Sequence, residues 1–165
     1  MKLIFDTSVL IDLNNAEILN FVSKIDCELL YPSLLEDELK EGVIDLLKVL
    51  KFQPVVFDFD EEMELREIGK SNKRLTACDV SVYFAAKKYD AICLTGDKKL
   101  KELAEKNNIE VHGIIWLLDM MVNREVVYPM MMIRVIKDIQ KKGARLPDGE
   151  CDKFISKWKQ MIRTF

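Results

Sequence analysis

Short apolar runs alternate with longer segments of helical period along most of the chain. Leu3-Ile4-Phe5 stops on Asp6, and Val9, Leu10 and Leu13 then recur on one face from Thr7 to about Leu13. That change of period predicts a buried strand running into a helix. A second helix is expected from about Ala16 to Ser23, and a second strand over Cys27-Glu28-Leu29-Leu30-Tyr31, closed by Pro32. Ser33 to Leu50 is predicted as one helix, Pro54 to Phe57 as a strand, and Asp60 to Lys70 as an acidic helix ended by Gly69 to Lys73. Thr76 to Lys88 is predicted helical, Ala91 to Thr95 a strand, Lys98 to Lys106 a helix and Ile109 to Val111 a last strand. Strands alternating with helices predict an α/β fold on a parallel sheet of about five strands. Beyond Val111 the pattern is helical: Ile114 to Val122, Pro129 to Lys142 and Cys151 to Ile162, with a hinge over Gly143 to Gly149. The expected organisation is a domain over 1–123, with 124–165 as a helical C-terminal extension of it.

Composition narrows the class. The chain has 165 residues, of which 49% are hydrophobic, enough for one domain with a real core. Charged residues make up 32% and the net charge is −3, which excludes a wholly basic coat and leaves room for local basic patches. No apolar stretch is long enough to span a membrane. Met1-Lys2 leads straight into the first strand without the layout of a signal peptide. Cys27, Cys78, Cys93 and Cys151 show no C-x-x-C spacing, so zinc and disulfide frameworks are not expected. Cys27, Cys78 and Cys93 read as buried reduced thiols, and a cytoplasmic location is expected.

The candidate chemistry lies in the acids. Asp6 ends the first strand, and Asp97 follows Leu94-Thr95-Gly96 in the same way. In a parallel sheet both belong at the carboxyl edge, where such sheets place ligands. Each could instead simply cap the helix that follows. Asp79 sits in a helix apolar almost all round, and also fits a capping box, Thr76-Ala77-Cys78-Asp79. Among Glu36, Asp37, Glu38 and Glu41, helical spacing puts Glu38 between Leu34 and Leu35 on the apolar face, with Glu41 second and Asp37 opposite. Four carboxylates on one edge repel unless a cation lies between them. All-oxygen donors favour Mg²⁺ or Mn²⁺.

The segments Phe5 to Ile11, Tyr31 to Leu39, Leu75 to Asp79 and Leu94 to Leu100 resemble PIN-domain nucleases, prokaryotic toxin-type members included, over roughly residues 2–122. The resemblance implies a three-layer α/β/α sandwich and metal-dependent endonucleolytic cleavage of RNA, with 5′-phosphate and 3′-hydroxyl products. It implies Asp6 and Asp97 as direct ligands of Mg²⁺ or Mn²⁺, with Glu38 and Asp79 binding a second ion or orienting water. Thr7 and Thr95 become supporting hydroxyls. It also implies a homodimer and a cognate antitoxin as partners. The tail from Arg124 lies outside the resemblance.

Cations near the acids, Lys70, Lys73 and Arg74 on one side and Lys98, Lys99 and Lys101 on the other, could hold RNA phosphates or be ordinary solvated surface. His112 reads as structural, and Trp116 and Trp158 lack the interleaved basic residues of a stacking surface. Met120, Met121, Met130, Met131 and Met132 read as core, with adaptable partner binding as the other use of such a cluster. A non-catalytic RNA-binding or scaffold module is the alternative function. A phosphoaspartyl enzyme is disfavoured, because Ser8 stands where that chemistry wants a second acid.

Overall fold

A computed structural model describes residues 1–144 and 146–163. Five strands, β1 (Lys2–Phe5), β2 (Glu28–Pro32), β3 (Gln53–Val55), β4 (Ile92–Leu94) and β5 (Val111–His112), form one sheet in the order β3-β2-β1-β4-β5. Every pairing is parallel. In the central strand Leu3, Ile4 and Phe5 are completely buried, as expected for a strand covered on both faces. Helices flank the sheet to make a three-layer α/β/α sandwich. They are α1 (Thr7–Asn15), α2 (Leu19–Val22), α3 (Glu41–Val49), α4 (Phe59–Ser71), α5 (Ala77–Tyr89), α6 (Lys98–Lys106), α7 (Ile114–Asn123), α8 (Pro129–Lys141) and α9 (Asp148–Arg163).

The strand order matters for function. The chain runs outward from β1 to β3, then returns to the other side of β1 with β4. The crevice between β1 and β4 is therefore a topological switch point, the place where open parallel sheets bind ligands. α5 packs across β1, β2 and β4, and its run Val80 to Ala86 is buried throughout, so a helix without a polar stripe has found a fully covered seat.

Two expected helices differ. Ser33 to Leu50 is not one helix but a 3-10 turn, Ser33–Asp37, followed by a break and then α3. Lys40 is extended (φ −68°, ψ 145°) as the cap of α3; 3-10 geometry rarely lasts beyond about four residues, so the chain restarts. The helix expected over Ala16 to Ser23 shrinks to the single turn α2, because Glu17 takes a left-handed backbone (φ 59°). Strand ends move by one or two residues, the usual slack of boundaries.

The expected helical tail is present. Gly143, left-handed at φ 92°, terminates α8 where a side chain would be strained. The expected hinge includes Arg145, which lies outside the described residues, as do Thr164 and Phe165 at the end of the extension. α8 and α9 pack on each other and on α7. Trp158 is wholly buried in the same core as the sheet, and its indole N–H donates to Asp119 Oδ1 at 2.8 Å. Lys157 Nζ lies 2.8 and 2.7 Å from the two oxygens of that carboxylate. Met120, Met121 and Met132 are core residues, whereas Met130 and neighbouring Tyr128 are exposed. Cys93 is buried, but Cys27 and Cys78 are only half-buried, and all three thiols are free.

Candidate active site at the carboxyl edge of the sheet

The site begins with β1. Its last residue hands the chain to Asp6, whose amide bonds to the Leu94 carbonyl at 3.0 Å, so Asp6 is locked beside the end of β4. Asp6 is 5% exposed. It is the residue before α1, but its side chain makes no capping bond to that helix. Instead Oδ2 accepts from Thr95 Oγ1 at 2.9 Å and from Ser8 Oγ at 2.9 Å. Burial raises the Asp6 carboxyl above its ordinary range; the Thr95 and Ser8 hydroxyls pull it back down, the nearby charge of Asp79 pushes it up again, and the Thr7 amide lowers it. Among the described residues no Lys, Arg or His pairs with Asp6. A buried carboxylate held by two hydroxyls and a backbone amide, with no cation beside it among the described residues, is an unbalanced charge.

Thr95, 3% exposed, joins the two strand ends. Its hydroxyl donates to Asp6 and accepts from the Asp97 amide at 3.0 Å. The two acids are thus brought to one rim, two hydrogen bonds apart. Thr95→Val keeps the shape but strands the Asp97 amide and strips Asp6 of a donor, and an unmade buried bond costs about 1–3 kcal/mol. Urea unfolding of the variant is expected to show a loss of that size.

Asp97 itself is exposed and caps α6, Oδ1 accepting from the Lys99 and Leu100 amides at 2.9 and 2.8 Å. Asp79 completes the capping box: its Oδ2 accepts from the Thr76 amide at 2.7 Å, while Thr76 Oγ1 accepts from the Asp79 amide at 3.1 Å. Capping and metal binding are compatible, since each carboxylate commits one oxygen and keeps the other.

Glu38 arrives by an unexpected route. The continuous helix that singled it out does not exist, but in a 3-10 turn positions i and i+3 eclipse. Glu38, three residues after buried Leu35, is itself exposed rather than turned into the core, yet its Oε2 accepts from Thr7 Oγ1 at 2.6 Å. Cys78 lies between Glu38 and Asp79. Burial, then the Glu38 carboxylate, then Asp79 raise its thiol to about 12. Alkylation proceeds through the thiolate, so iodoacetamide at pH 8 is expected to label Cys78 about a thousandfold more slowly than a thiol of ordinary pKa. Mass spectrometry of the labelled peptides checks this.

Asp6, Glu38, Asp79 and Asp97 thus occupy one edge, with Thr7 and Thr95 touching them as hydroxyl donors. They are not drawn into a closed cage. Among the described residues no three His, Cys, Asp or Glu side chains stand close enough to grip one ion. An open, all-oxygen edge still suits Mg²⁺ or Mn²⁺; Mg²⁺ in particular commonly takes one or two carboxylates and fills its shell with water and phosphate. Ser8 was legible only as the missing second acid, and its bond to Asp6 needed the turn geometry. Glu41, the second choice to Glu38, is exposed in the first turn of α3.

The remaining residues sort cleanly. His112 stacks on Trp116 with centroids 4.1 Å apart and planes 2° from parallel, and its Nε2 lies 2.7 Å from Glu110 Oε1. Its carbonyl accepts from the Thr95 amide at 3.0 Å, a structural role. Trp158 is excluded from base stacking by complete burial. Lys73, Arg74 and Lys99 line a groove beside the acidic edge. Lys98 lies outside it, 4.0 Å from Glu102 in an exposed pair. Among the described residues no helix is long and apolar enough to cross a membrane.

A family model described as a PIN domain matches residues 2–160. The match runs through α8 and most of α9, well beyond residue 122. No curated protein matches the chain.

Proposed function

The chain belongs to the PIN-domain family, and from that premise we propose that it is a divalent-metal-dependent endoribonuclease hydrolysing phosphodiester bonds in single-stranded RNA. PIN domains are generally nucleases and typically use divalent metals. The observation that carries the reading is Asp6, a buried carboxylate with two hydroxyl partners and, among the described residues, no cation, seated at the switch point of a parallel sheet.

Asp6 and Asp97 would hold Mg²⁺ or Mn²⁺, with Glu38 and Asp79 orienting the attacking water or holding a second ion. The bound ion supplies a water of lowered pKa and offsets charge on the phosphoryl oxygens. The chain's own residues do the positioning. Thr95 and Ser8 occupy Oδ2 of Asp6 and fix its plane. Thr7 fixes Glu38 from the residue next to Asp6. In the reaction a water oxygen bonds to phosphorus, the bond to the 3′ oxygen breaks, and 5′-phosphate and 3′-hydroxyl ends remain.

Labelled single-stranded RNA incubated with Mn²⁺, Mg²⁺ or chelator tests the reading; cleavage that persists in chelator ends it. Thr95→Val is expected to lower cleavage about 10–100-fold, the usual effect of losing a ligand-orienting partner. Thr95→Ser, which keeps the hydroxyl, is expected to restore it.

A second reading has its own observation. Asp79 and Asp97 both make complete helix caps, as a non-catalytic RNA-binding module would need. RNA binding without cleavage under either metal would favour it. A homodimer and a cognate antitoxin complete the toxin form of the proposal. Exposed Tyr128 and Met130 are available for such contacts, and sedimentation checks the dimer.

A further inference from the structure

Between the α4–α5 connection and α6 runs an open groove of about 480 Å³. Lys70, Lys73 and Arg74 form one wall, and Lys99 and Lys106 line the other. Lys70 is paired with Glu67 at 2.6 Å. Among the described residues Lys73, Arg74, Lys99 and Lys106 have no ion pair and no side-chain hydrogen bond. The acid in the groove, Glu102, has Lys98 at 4.0 Å. Four unbalanced cations have therefore been gathered in one concavity of a chain whose net charge is −3, and such a groove concentrates anions.

Both walls start at the candidate active site. Arg74 and Leu75 lead directly into the Thr76–Asp79 capping box. Lys99 stands in the first turn of the helix that Asp97 caps. At about 1.5 Å per helical residue, Lys106 lies about 13 Å along α6 from Asp97. In a duplex each strand carries a phosphate about every 3.4 Å of axis, and along an extended single strand they lie further apart, so this length spans a few phosphates. We infer that the groove holds the backbone of the RNA strand flanking the scissile bond, with Lys73, Arg74, Lys99 and Lys106 as phosphate contacts. The identity of the polyanion rests on the nuclease reading. Continuity with the acidic edge favours a substrate strand over an acidic peptide.

The test separates binding from cleavage. Full-length Asp6→Asn chain, in chelator, is titrated with a labelled single-stranded RNA of about twelve nucleotides across a salt series. Lys73→Gln, Arg74→Gln and Lys106→Gln are then added together. With about 0.7 of slope per phosphate contact, the slope of log affinity against log salt is expected to flatten by about 2. Affinity is expected to fall at least about tenfold at low salt. All three side chains are exposed, so thermal melting is expected to be unchanged. In the cleavage-competent chain the same changes are expected to raise KM for long RNA and leave kcat unmoved.

An unchanged salt slope and KM, alongside Asp6-dependent cleavage, would overturn the groove and spare the nuclease. A flattened slope without cleavage under any metal would support the groove and sink the nuclease. An unchanged slope with lost binding of a poly-glutamate peptide would overturn the inference in favour of an acidic protein partner.

Discussion

Replacing Asp6 by Asn is expected to reduce cleavage of single-stranded RNA by about a thousandfold or more while leaving the fold intact. Metal-borne charge stabilisation is worth several kcal/mol, and each decade of rate is about 1.36 kcal/mol. Asn keeps the shape and can still accept from Thr95 and Ser8, but has no charge to hold an ion. The metal-free stability should move the other way. Burial raises the Asp6 carboxyl above its ordinary value of 3.8 in the folded chain. A group of that kind contributes most below its unfolded pKa, and that contribution is lost as pH rises through the folded value. At neutral pH without divalent ions, Asp6→Asn is therefore expected to be as stable as the parent or more so. Added Mn²⁺ reverses the order, because an ion at about 100 times its Kd stabilises by about 2.7 kcal/mol. Melting with and without Mn²⁺ reads both signs. A variant that still melts higher with Mn²⁺ would remove Asp6 from the metal site.

Asp97→Asn sharpens the same result. Asn caps a helix about as well as Asp, so α6 is expected to hold and stability to change by only a few tenths of a kcal/mol. Cleavage lost from such a folded chain assigns Asp97 a duty besides capping; cleavage retained would leave it a cap.

The second large effect concerns the tail. Trp158→Ala is expected to cost about 3–5 kcal/mol, as truncation of a buried aromatic does. Trp158 is wholly buried, and its indole N–H is spent on Asp119 in α7. At about 2–4 °C per kcal/mol for a chain of this size, Tm should fall by roughly 10 °C. One cooperative transition is expected, because α8 and α9 share the core of the sheet. A separate early transition, with the main one unmoved, would instead make the tail an independent appendage.

The legible parts of this chain were those governed by local rules. Leu3-Ile4-Phe5-Asp6 and Leu94-Thr95-Gly96-Asp97 announce strand ends, and parallel sheets have one carboxyl edge. Glu38 was reached by a wheel that does not apply, since the backbone tightens to a 3-10 turn and restarts at Lys40. Trp158 was opaque because its partner, Asp119, is 39 residues away on another helix. Lys106 was passed over for the same reason. It is far from Asp97 in sequence, and only the approach of the α4–α5 connection makes it part of a groove.

The Thr95–Asp6 bond spans 89 positions of the chain, and β1 pairs with β4 through Leu3 with Ile92, Ile4 with Cys93 and Phe5 with Leu94. Such distant pairings come late, after a long loop has been closed. A nascent chain halted before Leu94 carries Asp6, Glu38 and Asp79 but neither Thr95 nor Asp97, so the rim of the candidate site cannot be completed from it. The acidic edge is therefore assembled only once the segment through Asp97 has been made and docked beside β1.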